Sequence, residues 1–125
     1  MIVGTGVDIV EIERIRSVME RQKDRFIERV FTLQERQFCE RYRDPAPHYS
    51  ARFAAKEALF KALGTGWAKG VGWLGVEVLR QDQQAPVMAL HGEAEKTFVR
   101  LGAKRVHLSL SHSDQWAVAT VILET

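Results

Sequence analysis

Phe53-Ala54-Ala55-Lys56-Glu57-Ala58-Leu59-Phe60-Lys61-Ala62-Leu63-Gly64-Thr65-Gly66 is dominated by Ala and Leu, strong helix formers, and closes on a pair of glycines suited to ending a helix. Extended upstream, the pattern predicts a helix from Tyr49 to Leu63 in which Ala51, Ala55, Ala58 and Ala62 form a small-residue stripe for close packing, while Arg52 and Lys56 mark the wettest sector. Glu57 and Lys61 stand one turn apart, about 6 Å along the axis and on one face. Charge in such apolar surroundings is costly and marks either a site or a local pair. With Gly64-Thr65-Gly66 allowing close backbone approach, the stretch suits an anionic, metal-bound substrate. The alternative is an intrahelical Glu57–Lys61 pair worth about 0.3–0.5 kcal/mol.

Outward from this helix, Met1 to Val10 reads as a strand with Val7 and Ile9 on one face and Gly6, Asp8 and Val10 on the other, so that Asp8 interrupts an otherwise apolar face. Glu11 to Arg29 carries Ile12, Ile15, Val18, Met19 and Phe26 at helical spacing, with a break near Gln22, and Leu33 to Tyr42 gives a further charged helix stopped by Asp44-Pro45-Ala46-Pro47. Beyond the central helix come a loop at Gly70-Val71-Gly72-Trp73, strands Val76 to Arg80 and Pro86 to His91, and a helix from Glu93 to Leu101 closed by Gly102. Arg105 to Ser113 alternates strictly, with Leu110 and His112 on one face and Ser109 and Ser111 on the other, and pairs as a hairpin with Trp116 to Leu123. Helices in the first half and mostly antiparallel strands in the second define an α+β fold, and 125 residues form one domain, 1-125.

Asp8 and Glu57, from different elements, form an oxygen donor pair for Mg²⁺, with Lys61 beside it to neutralise phosphates; alternatively Asp8 caps the following helix. Ser109-Leu110-Ser111-His112-Ser113-Asp114 invites a serine-hydrolase reading, but alternation turns His112 away from its neighbouring serines, and a phosphate site or a plain polar strand end are the other options. Arg14, Arg21 and Arg25 line a basic face that is either solvated or turned to an acidic partner or RNA, with no aromatic stacking residues to favour RNA. A net charge of +2 argues against a nucleic-acid tail, and no apolar run is long enough to span a membrane. The single cysteine, Cys39, excludes an intrachain disulfide and suits a reducing, cytoplasmic setting.

Taken in order, Gly6-Val7-Asp8-Ile9-Val10-Glu11-Ile12-Glu13-Arg14-Ile15, Phe53-Ala54-Ala55-Lys56-Glu57-Ala58 with Lys61 and Gly64-Thr65-Gly66, and Ser109-Leu110-Ser111-His112-Ser113 resemble the holo-acyl-carrier-protein synthase family, the short 4′-phosphopantetheinyl transferases. The resemblance spans nearly the whole chain. It implies transfer of 4′-phosphopantetheine from coenzyme A to a serine of apo-acyl carrier protein, releasing adenosine 3′,5′-bisphosphate, in fatty acid biosynthesis or for a secondary-metabolite carrier. Asp8 and Glu57 would hold Mg²⁺, and Glu57 would take the serine proton directly or through water. Lys61, Gly64, Thr65, Gly66, Pro86, Ser111 and His112 would bind coenzyme A. Arg14, Arg21 and Arg25 would receive the carrier protein. A homotrimer with sites at its subunit interfaces is implied, because longer relatives carry the acidic and Ser-His-Ser motifs in opposite halves of one chain. Against the family pattern, Val10 replaces a third carboxylate of the longer relatives, Gly75 stands where an acid is frequent, and Gln84-Ala85 precede Pro86 in place of a Gly-basic pair. The competing class is a non-catalytic module binding an acidic protein or RNA through the arginine face.

Overall fold

A computed structural model describes residues 1–65, 72–81 and 83–125. Its elements run β1 (Ile2–Glu11), α1 (Ile12–Gln22), α2 (Asp24–Val30), α3 (Leu33–Cys39), α4 (Ala46–Leu63), β2 (Val76–Leu79), β3 (Val87–Leu90), α5 (Gly92–Arg100), β4 (Arg105–His112) and β5 (Trp116–Glu124). The first strand pairs with the last: one antiparallel sheet has the order β1-β5-β4, and β2-β3 form a separate antiparallel ribbon. Gly66, Gly70 and Val71 of the expected loops lie outside the described residues; Trp73–Gly75 forms a short 3-10 turn.

α4 is buried on nearly every side, as expected of a helix apolar all round, and lies against the inner faces of β1 and β5. The small-residue stripe makes this possible. A Cβ at Gly4 or Gly6 would overlap the backbone carbonyls of Ala62 and Ala58, so strand and helix meet backbone to backbone. Along β1 the alternation is as read: Val10 is buried and Asp8 half-buried, whereas Val7 and Ile9 are 56% and 62% exposed on the outer face of the sheet. The helix starts earlier than Tyr49, at Ala46, because Pro47 falls in the first turn, where no backbone N–H is needed. Its end at Gly64 is left-handed, φ 76°.

Arg52 and Lys56 are not the wet sector of α4: they are 2% and 0% exposed. Lys56 Nζ donates to the backbone carbonyls of Val30 (2.6 Å) and Trp73 (3.1 Å) and to Glu35 Oε1 (2.7 Å). The Glu35 carboxylate in turn accepts from the N–H groups of Thr32 and Val78 at 2.8 Å each. A fully buried ammonium is tolerated because each of its protons has an acceptor, and the network ties α3, α4, the 3-10 turn and β2 together. Gly75 is accounted for sterically, since a side chain there would press on the His91 carbonyl at 2.9 Å.

Candidate active site

Strand alternation turns Asp8 inward and helical spacing brings Glu57 and Lys61 to meet it. Lys61 Nζ donates to Asp8 Oδ1 at 3.1 Å and to the Val7 carbonyl at 2.9 Å. Neither local alternative is realised. Glu57 and Lys61 form no intrahelical ion pair, and the cap of α1 is Glu11, with no side-chain capping bond. Glu57 makes no hydrogen bond among the described residues. Burial, and then the charge of Asp8, raises its pKa above the ordinary carboxylate value against the opposing pull of Lys61.

Both carboxylates open onto a cleft of about 860 Å³ whose floor includes Phe26 and Phe53 and whose wall carries Arg14 and Arg21. Arg25 does not share the helix of Arg14 and Arg21: α1 ends at Gln22, Lys23 takes φ +52°, and Arg25 lies on α2. Gly64 is exposed and Thr65 half-buried just beyond α4, and Pro86 is half-buried ahead of β3. Among the described residues no cluster of three or more His, Cys, Asp or Glu gathers that could hold a metal ion.

His112 belongs to a second cluster. Its ring meets that of His48 edge-on at 5.3 Å, and His48 stacks on Tyr42 at 3.5 Å. Nearby, the Arg52 guanidinium lies 4.0 Å from the centre of the Phe38 ring. Ser111 is on the opposite, outward face of β4 with His107 and Ser109, which removes a serine–histidine pairing within this segment. The cluster around His48 and Arg52 was not legible in the sequence: an Arg one turn before a Lys on a helix reads as solvated, and His48 meets His112, which is remote in sequence. None of Thr65, Pro86, Ser111 or His112 lines the cleft of Asp8 and Glu57. The described residues of one chain therefore hold two separate clusters.

Residues 4–121 match the family model described as the 4′-phosphopantetheinyl transferase superfamily. The chain is 48% identical to the holo-[acyl-carrier-protein] synthase of Koribacter versatilis over 124 residues, 99% of each protein. It is 46% identical to that of Syntrophotalea carbinolica over 121 residues, 97% of this chain and 94% of the relative. The crystal structure of the Neisseria meningitidis holo-[acyl-carrier-protein] synthase superposes with a TM-score of 0.90 at 30% identity, covering 100% of both chains. The Bacillus anthracis synthase in complex with CoA (3′,5′-ADP) superposes at 0.82 with 38% identity, covering 100% of this chain and 98% of that one. The chain thus belongs to the 4′-phosphopantetheinyl transferase superfamily, and within it to the holo-[acyl-carrier-protein] synthases.

Proposed function

We propose a division of labour among these residues for the family's reaction, transfer of 4′-phosphopantetheine from coenzyme A to a serine hydroxyl of apo-acyl carrier protein. The observation that carries it is that one cleft is lined both by the carboxylate pair Asp8 and Glu57 and by Arg14 and Arg21. A reacting pyrophosphate and an acidic protein partner would meet there. Two mutually repelling carboxylates, one with its pKa raised, form an all-oxygen donor set that fits Mg²⁺, with Asp8 and Glu57 as the residues that would hold it. When bound, that ion supplies charge neutralisation at the pyrophosphate oxygens. Lys61, already directed at Asp8, offers its ammonium to the phosphates as the P–O bond breaks. Glu57 accepts the proton of the serine hydroxyl on a carboxylate oxygen, directly or through water. Arg14 and Arg21 steer the acidic face of the carrier protein toward the cleft.

His112 and the buried Arg52 receive the nucleotide end of coenzyme A. In support, Arg52 has no ion pair among the described residues and its Nε has no hydrogen-bond partner. Because this cluster and the carboxylate cleft are separate in one chain, a complete site is assembled between subunits. The outer face of the sheet, where Val7, Ile9, Trp116 and Ile122 are exposed, is suited to burial in a homotrimer. Cys39 is fully buried with its thiol pKa pushed up to about 12 by burial, an inert residue in keeping with a cytoplasmic setting. Among the described residues no helix is long and apolar enough to cross a membrane.

The function is tested by mass spectrometry: apo-acyl carrier protein given this protein, coenzyme A and Mg²⁺ gains the mass of one phosphopantetheine, and no gain in mass overturns the reading. The shared site is tested with the same assay. Glu57→Gln and His112→Ala proteins are each poor transferases, and co-refolding them restores activity, because some interfaces then join an intact Glu57 to an intact His112. Mixtures no more active than the average of the two variants would place both residues in a site within one chain.

A further inference from the structure

Arg52 in the second cluster has no direct ion pair among the described residues: the acid whose charge reaches it, Glu35, is already bound to Lys56 at 2.7 Å. Arg52 is 2% exposed, its Nε has no acceptor, and one of its terminal nitrogens reaches only the His48 carbonyl, at 3.5 Å. The groups facing the His48 ring are Phe38 from α3, Tyr42 and Asp44 from the α3–α4 connection, Arg52 from α4, Arg80 after β2 and His112 from β4. Asp44 is the one acid among them, and it is held by Arg16 in a two-pronged pair at 2.7 and 3.2 Å. The remaining charged or chargeable groups are Arg52, Arg80, His112 and His48 itself. Burial, then the neighbouring charges of His112 and Arg52, brings the His48 pKa down to about 4, so this imidazole is neutral at pH 7. An arriving dianion reverses the balance, and the face of Tyr42, stacked on the ring at 3.5 Å, accommodates the resulting cation.

We propose that His48 is a specificity-determining residue for the phosphomonoester at the nucleotide end of the donor, taking up a proton when that phosphate settles against His112 and Arg52. This rests on the reading that His112 and Arg52 receive the nucleotide. A group whose pKa rises on binding favours the complex below the pKa it has in the bound state, and the advantage is lost as pH rises through that value. One coupled proton changes affinity by up to about tenfold per pH unit between the free and bound pKa values. The second ionisation of the ligand phosphate, near pH 6, acts in the opposite direction and equally on any variant, so the comparison is with His48→Phe, which keeps the stack on Tyr42 but cannot be protonated.

The experiment is calorimetric binding of adenosine 3′,5′-bisphosphate and of adenosine 5′-monophosphate at pH 6, 7 and 8 to the intact protein, His48→Phe and His48→Gln, in buffers of differing ionisation enthalpy. Wild type prefers the bisphosphate, absorbs protons on binding it, and loses preference relative to the variants by about fivefold or more between pH 6 and 8. Both variants bind the bisphosphate more weakly at pH 6 without proton uptake, while binding of the monophosphate changes less than about twofold. His48→Gln decides the matter if the phenylalanine variant does not fold. A wild-type preference that both variants retain with unchanged proton uptake overturns the role of His48 alone. Equal weakening toward both nucleotides also overturns it, since it marks a purely structural residue. No preference in the wild type overturns the reading of His112 and Arg52 as well.

Discussion

Asp8→Asn and Glu57→Gln each lower phosphopantetheine transfer by about 10²–10³ while leaving the fold in place, the loss in keeping with removal of a preorganised charge at the reacting centre. Neither substitution removes packing. Asp8 is half-buried beside Lys61, and Glu57 faces the cleft without a hydrogen bond among the described residues, so circular dichroism and melting stay close to wild type. In protein without Mg²⁺, burial and the charge of Asp8 keep the Glu57 carboxyl above the ordinary carboxylate range, and Asp8→Asn removes one of those causes, so Glu57 titrates at lower pH in that variant than in wild type when followed by NMR without the metal. Near-normal turnover of either variant at limiting Mg²⁺ would mean that the carboxylate pair is not the metal site.

Lys56→Met destabilises the protein by about 3–5 kcal/mol, a large share of the total for a domain of this size, because it strands the buried Glu35 carboxylate without its ammonium. The Val30 carbonyl loses its Lys56 donor as well, while the Trp73 carbonyl keeps the Val76 N–H. Replacing both partners, Lys56→Met with Glu35→Leu, removes the unpaired charge and recovers part of the loss. Recovery is incomplete, since Glu35 also accepts from the N–H groups of Thr32 and Val78, which then have no partner. Urea unfolding measures both effects. A single Lys56→Met variant within about 1 kcal/mol of wild type would show that the buried pair is dispensable.

These cases mark how far the sequence could be read. Asp8, Glu57 and Lys61 were legible because strand alternation and helical spacing are local rules, and both held. The α+β class, the break after α1 and the β4–β5 hairpin followed from the same local periodicities. Arg52 and Lys56 were misread because amphipathic logic sends cations to water. Here the acceptors come from Val30, Glu35 and Trp73, which no helical period brings into register with Lys56. Arg25 was carried onto the first basic face because the left-handed turn at Lys23, which reorients the chain, is made by a residue with no strong turn signature.

The pairing of the first strand with the last also governs how the chain reaches its folded state. Asp8 is registered against Ala119 and Val10 against Ala117, contacts about as distant in sequence as this chain allows. Helices α1 to α4 close their hydrogen bonds locally, whereas β1 has β5 as its strand partner and cannot close its ladder without it. A nick or truncation that removes β5 would take away the strand partner of β1, and with it the support that turns Asp8 toward Glu57, without touching either carboxylate.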